Sequence, residues 1–257
     1  DSRIQGIALQ PDGKAIVIGS FLVPGRPDPQ QIARLTLDGS VDPTFQVRAI
    51  ESSPQFLGGV RADGGFYIGG AISSVGGVKR HGFARLLSDG SLDPSFVPDP
   101  ILEPKVSPPW QRWADVDAWC PAADGKHLVA ATVYPALDVW NARLIRLNAD
   151  GSLDPSFTVG PMEPSSFPPS SMHEERGGKV IVQGSFASIE GVPRPGIARL
   201  HSDGRLDIGY AAPLPVGGSP VGIAMMADDT LLVLNSSHLR RLAAGEPPKA
   251  PPRIVHQ

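Results

Sequence analysis

Residues Ala149–Phe157 read ADGSLDPSF, and this stretch decides the fold because the chain repeats it. The same string stands at Ser88–Phe96 as SDGSLDPSF and at Leu37–Phe45 as LDGSVDPTF, with a worn copy, SDGRLDIGY, at Ser202–Tyr210. An Arg-Leu pair precedes each phrase, giving IARLTLDGSVDPTF, FARLLSDGSLDPSF, LIRLNADGSLDPSF and IARLHSDGRLDIGY, and a truncated fifth start stands at Leu239-Arg240-Arg241-Leu242. Upstream of each lies a second turn signal: QPDGKAIVIGSF from Gln10, RADGGFYIGGAI from Arg61, AADGKHLVAATV from Ala122, ERGGKVIVQGSF from Glu175 and MADDTLLVLNSS from Met226. Measured at Gly13, Gly64, Gly125, Gly178 and Asp229, the spacings are 51, 61, 53 and 51 residues. Five units of about fifty residues match the period of a propeller blade.

Each unit reads as four antiparallel strands: a short apolar strand such as Gly6–Gln10, a β-branched run such as Ala15–Ile18, the Arg-Leu strand, and the Leu-Asp-Pro-Ser-Phe end of the phrase. Such continuous apolar runs predict strands covered on both faces, which blades stacked around an axis provide. Within the phrase, a three-residue loop Leu37-Asp38-Gly39 suits a type I turn closed by a glycine at positive φ. That loop sets Arg34 opposite Asp42 and Leu35 opposite Val41. Period two then predicts Leu35, Val41 and Phe45 on one face and Arg34 with Asp42 on the other. The same offset pairs Arg85 with Asp93, Arg146 with Asp154 and Arg199 with Asp207. Four copies spread around a ring cannot converge on one substrate, so these pairs read as register-setting ion pairs. A calcium loop built on Asp38 and Asp42 would have too few carboxylates, since no D-x-[DN]-x-[DN]-G run is present. No metal and no other cofactor is expected.

Composition agrees with a turn-dense all-β chain. The 257 residues include 29 glycines and 28 prolines, yet 41% are hydrophobic, enough to build a core. A net charge of -3 leaves no basic footprint for nucleic acid, and no apolar run reaches the roughly 18 residues of a membrane span. One cysteine, Cys120, excludes an internal disulfide and reads as a small buried hydrophobe. The first residue is Asp1 rather than Met, which points to a removed leader or a piece of a longer protein.

The order D-G-K, a β-branched run ending G-S-F, then A-R-L-x-x-D-G-S-L-D-P-S-F resembles the delta-60 repeat, a β-propeller repeat of secreted and surface proteins of bacteria. The resemblance runs from about Ile4 to Leu242. It departs at Met172-His173-Glu174-Glu175 in the fourth unit and in the fifth, which lacks the phrase. It implies a propeller fold and an extracellular or cell-surface location, with the periplasm as the alternative, and no shared catalytic residues. The expected layout is one domain, 1–257, with blades at about 1–46, 47–97, 112–158, 167–211 and 216–257, a Pro/Trp-rich insertion at 98–111 and a Pro-rich linker at 247–252. Arg253–Gln257 has the length to supply the fifth blade's missing outer strand; further blades from a longer parent protein are the alternative.

The inner strands offer little for catalysis, and no G-x-S-x-G, H-E-x-x-H or P-loop occurs. His173, Glu174 and Glu175 form the one ionisable cluster there. Aromatics break the symmetry: Trp110, Trp113, Trp119 and Trp140 fall within 31 residues, with Tyr134 among them. The gap from Phe96 to Gly125 is 29 residues against 19 to 21 elsewhere, so about ten extra residues lie between Val97 and Asp117. Such an insertion on a regular ring is where a binding loop would be grafted. Its tryptophans suit sugar rings or partner side chains, with Asp115 and Asp117 as polar contacts; the competing reading folds these rings back as a satellite core. The chain is therefore expected to be a non-catalytic module that binds a glycan or a protein partner through blade loops, or a building block of a larger surface assembly. The rival is a propeller hydrolase, lyase or lactonase with a channel site at His173 and Glu174.

Overall fold

The computed structural model describes residues 3–23, 28–102, 115–122, 124–136, 139–164, 168–210, 212, 220–226, 230–235 and 239–242; at 52, 53, 55–57, 134–136, 139, 140, 220, 221, 235, 240 and 242 it describes the backbone alone. The strands are β1 (Arg3–Leu9), β2 (Ala15–Phe21), β3 (Gln30–Leu35), β4 (Ile50–Val60), β5 (Phe66–Val75), β6 (Val78–Lys79), β7 (Phe83–Leu86), β8 (Asp115–Pro121), β9 (His127–Ala136) and β10 (Val139–Leu147). They continue with β11 (Met162–Glu163), β12 (Pro169–Glu174), β13 (Val180–Gly184), β14 (Ser188–Ile189), β15 (Val192–Pro193), β16 (Ile197–Leu200), β17 (Pro220–Met225), β18 (Leu231–Asn235) and β19 (Leu239–Leu242). A single 3-10 turn, Pro100–Leu102, is the helical element among the described residues.

Five antiparallel sheets follow the repeat: β1-β2-β3, β4-β5-β7, β8-β9-β10, β12-β13-β16 and β17-β18-β19. The first three belong to one compact unit, Asp1–Pro155, and the last two to a second, Ser156–Gln257. In blades 2 and 4 an extra hairpin, β5–β6 and β14–β15, extends the sheet or stands beside it. The sequence cue is the shared Gly-Val-x-Arg of GGVKR and EGVPR, whose arginines Arg80 and Arg194 are buried.

Central strands are apolar on both faces because both faces are covered. In the first unit, Phe66 and Ile68 of β5 join Ile16, Ile18 and Ile32 of blade 1 in one cluster. Tyr67, between them in sequence, points the other way and joins Phe83, Phe96, Val129, Val133 and Ile145 in a second cluster toward blade 3. One strand thus serves two cores. In the second unit Ile181, Ile197, Tyr210, Leu231 and Val233 make the equivalent cluster.

The phrase acts as an anchor. Its loop closes by Thr36 N to Ser40 O and Gly39 N to Thr36 O, at 2.8 and 2.9 Å, with Gly39 at φ +83°. Asp42 N donates to Arg34 O at 2.8 Å and Leu35 bridges Val41. Arg34 Nε donates to Asp42 Oδ2 at 3.0 Å, Arg85 to Asp93 at 2.7 Å, Arg146 to Asp154 at 2.7 Å and Arg199 to Asp207 at 2.9 Å. The other carboxylate oxygen caps the next turn, with Asp42 Oδ1 accepting from Thr44 N at 2.9 Å and Asp93 Oδ1 from Ser95 N at 2.9 Å. A lysine from the upstream turn joins in three blades: Lys14 to Asp42 at 2.9 Å, Lys126 to Asp154 at 3.0 Å and Lys179 to Asp207 at 2.9 Å. Blade 2 has Gly65 at that position. The hydrogen bonds from Thr44 and Lys14, with the charge of Arg34, hold the Asp42 carboxyl well below its usual range.

Two expectations are corrected here. The fourth strand is a single bridge, Leu35–Val41, Leu86–Leu92, Leu147–Leu153 or Leu200–Leu206, rather than a ladder. The cause is the turn that opens at the phrase aspartate, which the chain enters straight after the bridge, as Asp42-Pro43-Thr44 in blade 1 and Asp207-Ile208-Gly209 in blade 4. That turn also breaks period two: Phe45 lies under the Arg34 guanidinium, 5.0 Å from carbon to ring centroid, and Phe96 lies under Arg85 at 4.9 Å. The aromatic therefore shares the arginine's side. The tail 253–257 and the linker 247–252 lie outside the described residues.

Successive blades are tied through the same groups. Arg34 Nη1 donates to Ser88 O at 2.6 Å and Arg85 Nη1 to Ala149 O at 2.9 Å, each reaching the phrase turn of the next blade. Beyond Phe96, Val97 N bonds Asp150 O and Asp99 N bonds Gly151 O at 2.8 and 3.0 Å, and Asp99 Oδ2 accepts from Leu153 N at 3.1 Å. Leu102, fully buried, ends this anchored stretch.

Candidate functional site

Blade 3 begins with Asp-Val-Asp-Ala-Trp-Cys-Pro, where alternate burial sends Val116, Ala118 and Cys120 inward and leaves Asp115, Asp117 and Trp119 half-buried or exposed. Opposite stands Leu57-Gly58-Gly59-Val60 of β4. The two glycines make room for the indole: a Cβ on Gly59 would lie 3.1 and 3.2 Å from ring atoms of Trp119, and one on Gly58 would lie 2.7 Å from Tyr67 Cβ. Trp119 settles beside Tyr67 with centroids 5.3 Å apart and planes at 29°.

A cleft of about 450 Å³ opens against this pair within the first unit, lined among others by Arg61, Tyr67, Arg85, Trp119, Lys126 and His127. His127 is the hub. Trp119 Nε1 donates to its Nδ1 at 3.3 Å, and Tyr67 Oη lies 3.3 Å from its Nε2. An indole N–H can only donate, so Nδ1 accepts and the neutral ring carries its proton on Nε2, facing the tyrosine oxygen. Burial, then the charges of Arg85 and Arg61, push His127 down to about 4. Both nitrogens are occupied and the ring stays neutral at physiological pH, a poor position for a proton shuttle.

The charged lining groups are also engaged. Arg61 pairs with Asp63 at 2.8 Å, Arg85 with Asp93 at 2.7 Å and Lys126 with Asp124 at 3.4 Å and Asp154 at 3.0 Å. What remains for a ligand is chiefly the half-buried indole of Trp119, since Tyr67 and His127 are buried and paired with each other and with Trp119.

Of the residues singled out from sequence, Trp119 reaches this cleft. Asp117 keeps an exposed face on β8 and accepts from Thr132 Oγ1 at 3.0 Å; the protein packed around its carboxyl, with Asp115 adding repulsion, pushes it up to about 6. Trp110 and Trp113 lie outside the described residues, as do the side chains of Tyr134 and Trp140, which stand on β9 and β10. Cys120 is buried, facing away from the cleft side of β8. Sequence reasoning missed Tyr67, Arg61 and His127. The signal available was the doubled glycine of Leu57-Gly58-Gly59-Val60, which leaves space for a large ring on the neighbouring strand.

Among the described residues no group of three or more His, Cys, Asp or Glu side chains is placed to hold a metal. No helix among them is long and apolar enough to cross a membrane. In the second unit His173 Nε2 lies 3.3 Å from Ile223 O, and Arg199 Nη1 lies 3.7 Å from Glu175 Oε2.

Four segments, 10–45, 61–96, 122–157 and 178–208, match the family described as "Domain of unknown function (DUF5122) beta-propeller" and together make up more than half of the chain. The chain belongs to this family. Each DUF5122 match but the last runs from the start of the Asp-Gly turn to the aromatic that closes the phrase, so the family unit is the clasped hairpin pair described above. The matches accord with a delta-60-like repeat. Among curated protein sequences none matches the chain. Among solved structures this DUF5122 propeller is similar to the extracellular domain of a one-component system from B. thetaiotaomicron, at 10% identity and TM-score 0.47 over 91% of this chain and 26% of that one. It is similar also to a gluconolactonase from Xanthomonas campestris, at 15% identity and TM-score 0.40 over 90% and 69% of the two chains. A third is YCF48 from Cyanidioschyzon merolae, at 13% identity and TM-score 0.38 over 91% and 77%. At these identities and scores the likenesses assign no function.

Proposed function

We propose that the chain is a non-catalytic recognition module of an exported or surface protein, and that its blade 2–blade 3 cleft receives an uncharged ring, in the first instance a sugar unit of a glycan. The observation that carries this reading is the Trp119–Tyr67–His127 cluster, which sets a half-buried indole against an open volume of about 450 Å³. A half-buried indole face suits stacking against a sugar ring, whereas an ionic ligand would have to break the existing pairs of Arg61, Arg85 and Lys126.

The rival channel hydrolase, lyase or lactonase has less support. His173 faces the Ile223 carbonyl and Glu175 faces Arg199, so this cluster is drawn into structural contacts. Calorimetric titration with a panel of neutral and charged oligosaccharides tests the proposal, comparing the intact chain with Trp119→Ala and with Trp110→Ala plus Trp113→Ala. Binding of a neutral sugar that Trp119→Ala abolishes, while the variant keeps the native far-ultraviolet circular dichroism and a lowered but cooperative melt, is expected. Sugar binding that survives Trp119→Ala, or turnover of any panel member, would overturn it.

A further inference from the structure

The junction between blades 1 and 2 holds a plug that the next junction lacks. Gln10, three residues before the turn glycine Gly13, is 4% exposed. Its Nε2 donates to Gly64 O at 2.6 Å and to Ser88 O at 3.1 Å, so one NH2 group spans two carbonyls of the neighbouring blade. Ser88 O also receives Arg34 Nη1 at 2.6 Å. Gly64 is buried here, and a Cβ built on it would lie 3.6 Å from Gln10 Nε2.

Blades 2 and 3 present the same carbonyls without the plug. Arg61 stands at the repeat position of Gln10 and makes the same turn: Gly64 N to Arg61 O and Arg61 N to Gly65 O, at 2.9 and 2.7 Å, match Gly13 N to Gln10 O and Gln10 N to Lys14 O, at 2.9 and 2.8 Å. Its side chain, 38% exposed, pairs with Asp63 instead of crossing to blade 3. The carbonyls corresponding to those of Gly64 and Ser88 belong to Gly125 and Ala149. Ala149 O receives Arg85 Nη1 at 2.9 Å, as Ser88 O receives Arg34, and has a second lone pair to offer. Gly125 O has no donor among the described residues. Gly125 has φ +80°, against +82° at Gly64, yet it is exposed and nothing lies within 4 Å of a Cβ built on it. Both residues line the Trp119 cleft.

We propose that this cleft recognises an uncharged NH2 group, that of a primary carboxamide carried on the ring that meets Trp119, and that Gly125 O and Ala149 O are its acceptors. The inference rests on the reading of the cleft as a ring-binding site and supplies its polar half. Two converging carbonyls call for a donor and repel a carboxylate. Arg61, Arg85 and Lys126 line the same cleft and disfavour an ammonium. A single hydroxyl has one hydrogen and cannot serve both carbonyls, whereas an amide NH2 has two, as Gln10 shows one blade earlier. On a glycan, such a group is the amide of a sugar acid.

The probe is benzamide, titrated into isotope-labelled protein and followed by amide chemical shifts. Acetophenone, in which a methyl group replaces the NH2 on the same ring and carbonyl, is the control. Benzamide is expected to bind with a Kd of about 1–10 mM, shifting the Trp119 indole N–H and the amides of Lys126 and Asp150, which follow the two carbonyls. Acetophenone should bind about tenfold more weakly. Arg61→Gln sets the side chain of Gln10 at the matching position and should abolish benzamide binding, whereas Arg61→Ala should preserve it. Equal binding of the two probes, or undiminished benzamide binding to Arg61→Gln, would overturn the proposal while leaving a ring site at Trp119. Absence of saturable benzamide shifts up to about 50 mM would overturn it as well; sugar binding lost in Trp119→Ala would then keep the cleft reading, and no sugar binding would remove both.

Discussion

Blades 1 and 2 offer a matched pair for weighing the clasp. Arg85 donates to Asp93 at 2.7 Å, to Ser95 Oγ at 2.8 Å and to Ala149 O at 2.9 Å, with its carbon over the Phe96 ring. Arg85→Ala leaves Asp93, 7% exposed, with the Ser95 contacts and the weaker attraction of Arg80. Stranding a buried carboxylate costs about 3–5 kcal/mol. Arg34→Ala removes equivalent bonds from Asp42, yet Lys14 Nζ stays 2.9 Å away and keeps that carboxylate paired. The loss then reduces to the arginine's own hydrogen bonds, about 2 kcal/mol. At about 2–4 °C per kcal/mol for a chain of this size, Arg85→Ala should lower Tm by about 10 °C and Arg34→Ala by about 5 °C. Thermal and urea unfolding followed by far-ultraviolet circular dichroism would measure both, and adding Lys14→Met to Arg34→Ala should bring blade 1 to the blade 2 value. Equal losses in the two single variants, or losses under about 1 kcal/mol in both, would refute the claim that the lysine shares the load.

Phe96→Ala empties a fully buried site edge-on to Tyr67 and Phe83 and should cost about 3–5 kcal/mol in urea unfolding; a loss below about 1 kcal/mol would contradict that packing. His127, held near 4 when folded and near 6.5 when unfolded, binds its proton first in the unfolded chain, so its share of stability is lost as pH falls from 6.5 toward 4. That share is about 3 kcal/mol, and stability measured against pH should lose this slope in His127→Phe. Asp117 runs the other way: its raised value, about 6, means the folded state favours the protonated form, so its destabilisation sets in as pH rises from 4 to 6. Asp117→Asn should therefore raise stability at pH 7 by about 1 kcal/mol after screening at its exposed face and leave it unchanged at pH 4.

The architecture was readable because it is written in turn chemistry. Asp-Gly at a fixed offset fixes loop length, loop length fixes register, and register sets Arg34 across from Asp42 whatever the rest of the blade does. The reading failed at Phe45 for a local reason, since Asp42 caps the Pro43-Thr44 turn and strand periodicity ends there. The extra hairpins at Arg80 and Arg194 were written in the sequence as Gly-Val-x-Arg, but a two-residue strand has too little periodicity to be seen. For the cleft, Trp119 stood out by composition. Tyr67 and His127 did not, because each sits in an ordinary apolar run and gains its role only through residues about sixty and eight positions away.

The anchored stretch after Phe96 bears on how such a chain can change. Val97 and Asp99 are fastened to the Asp150–Gly151 turn, and Leu102 is buried, so the connection is secured before the added residues begin. At its far end β8 is zipped to β9 from Asp115 onward. Lengthening a segment held at both ends costs only about 0.6 kcal/mol per doubling of its length. Residues 103–114 are thus a position where new sequence can be inserted, by evolution or by design, while the blades on either side keep their register.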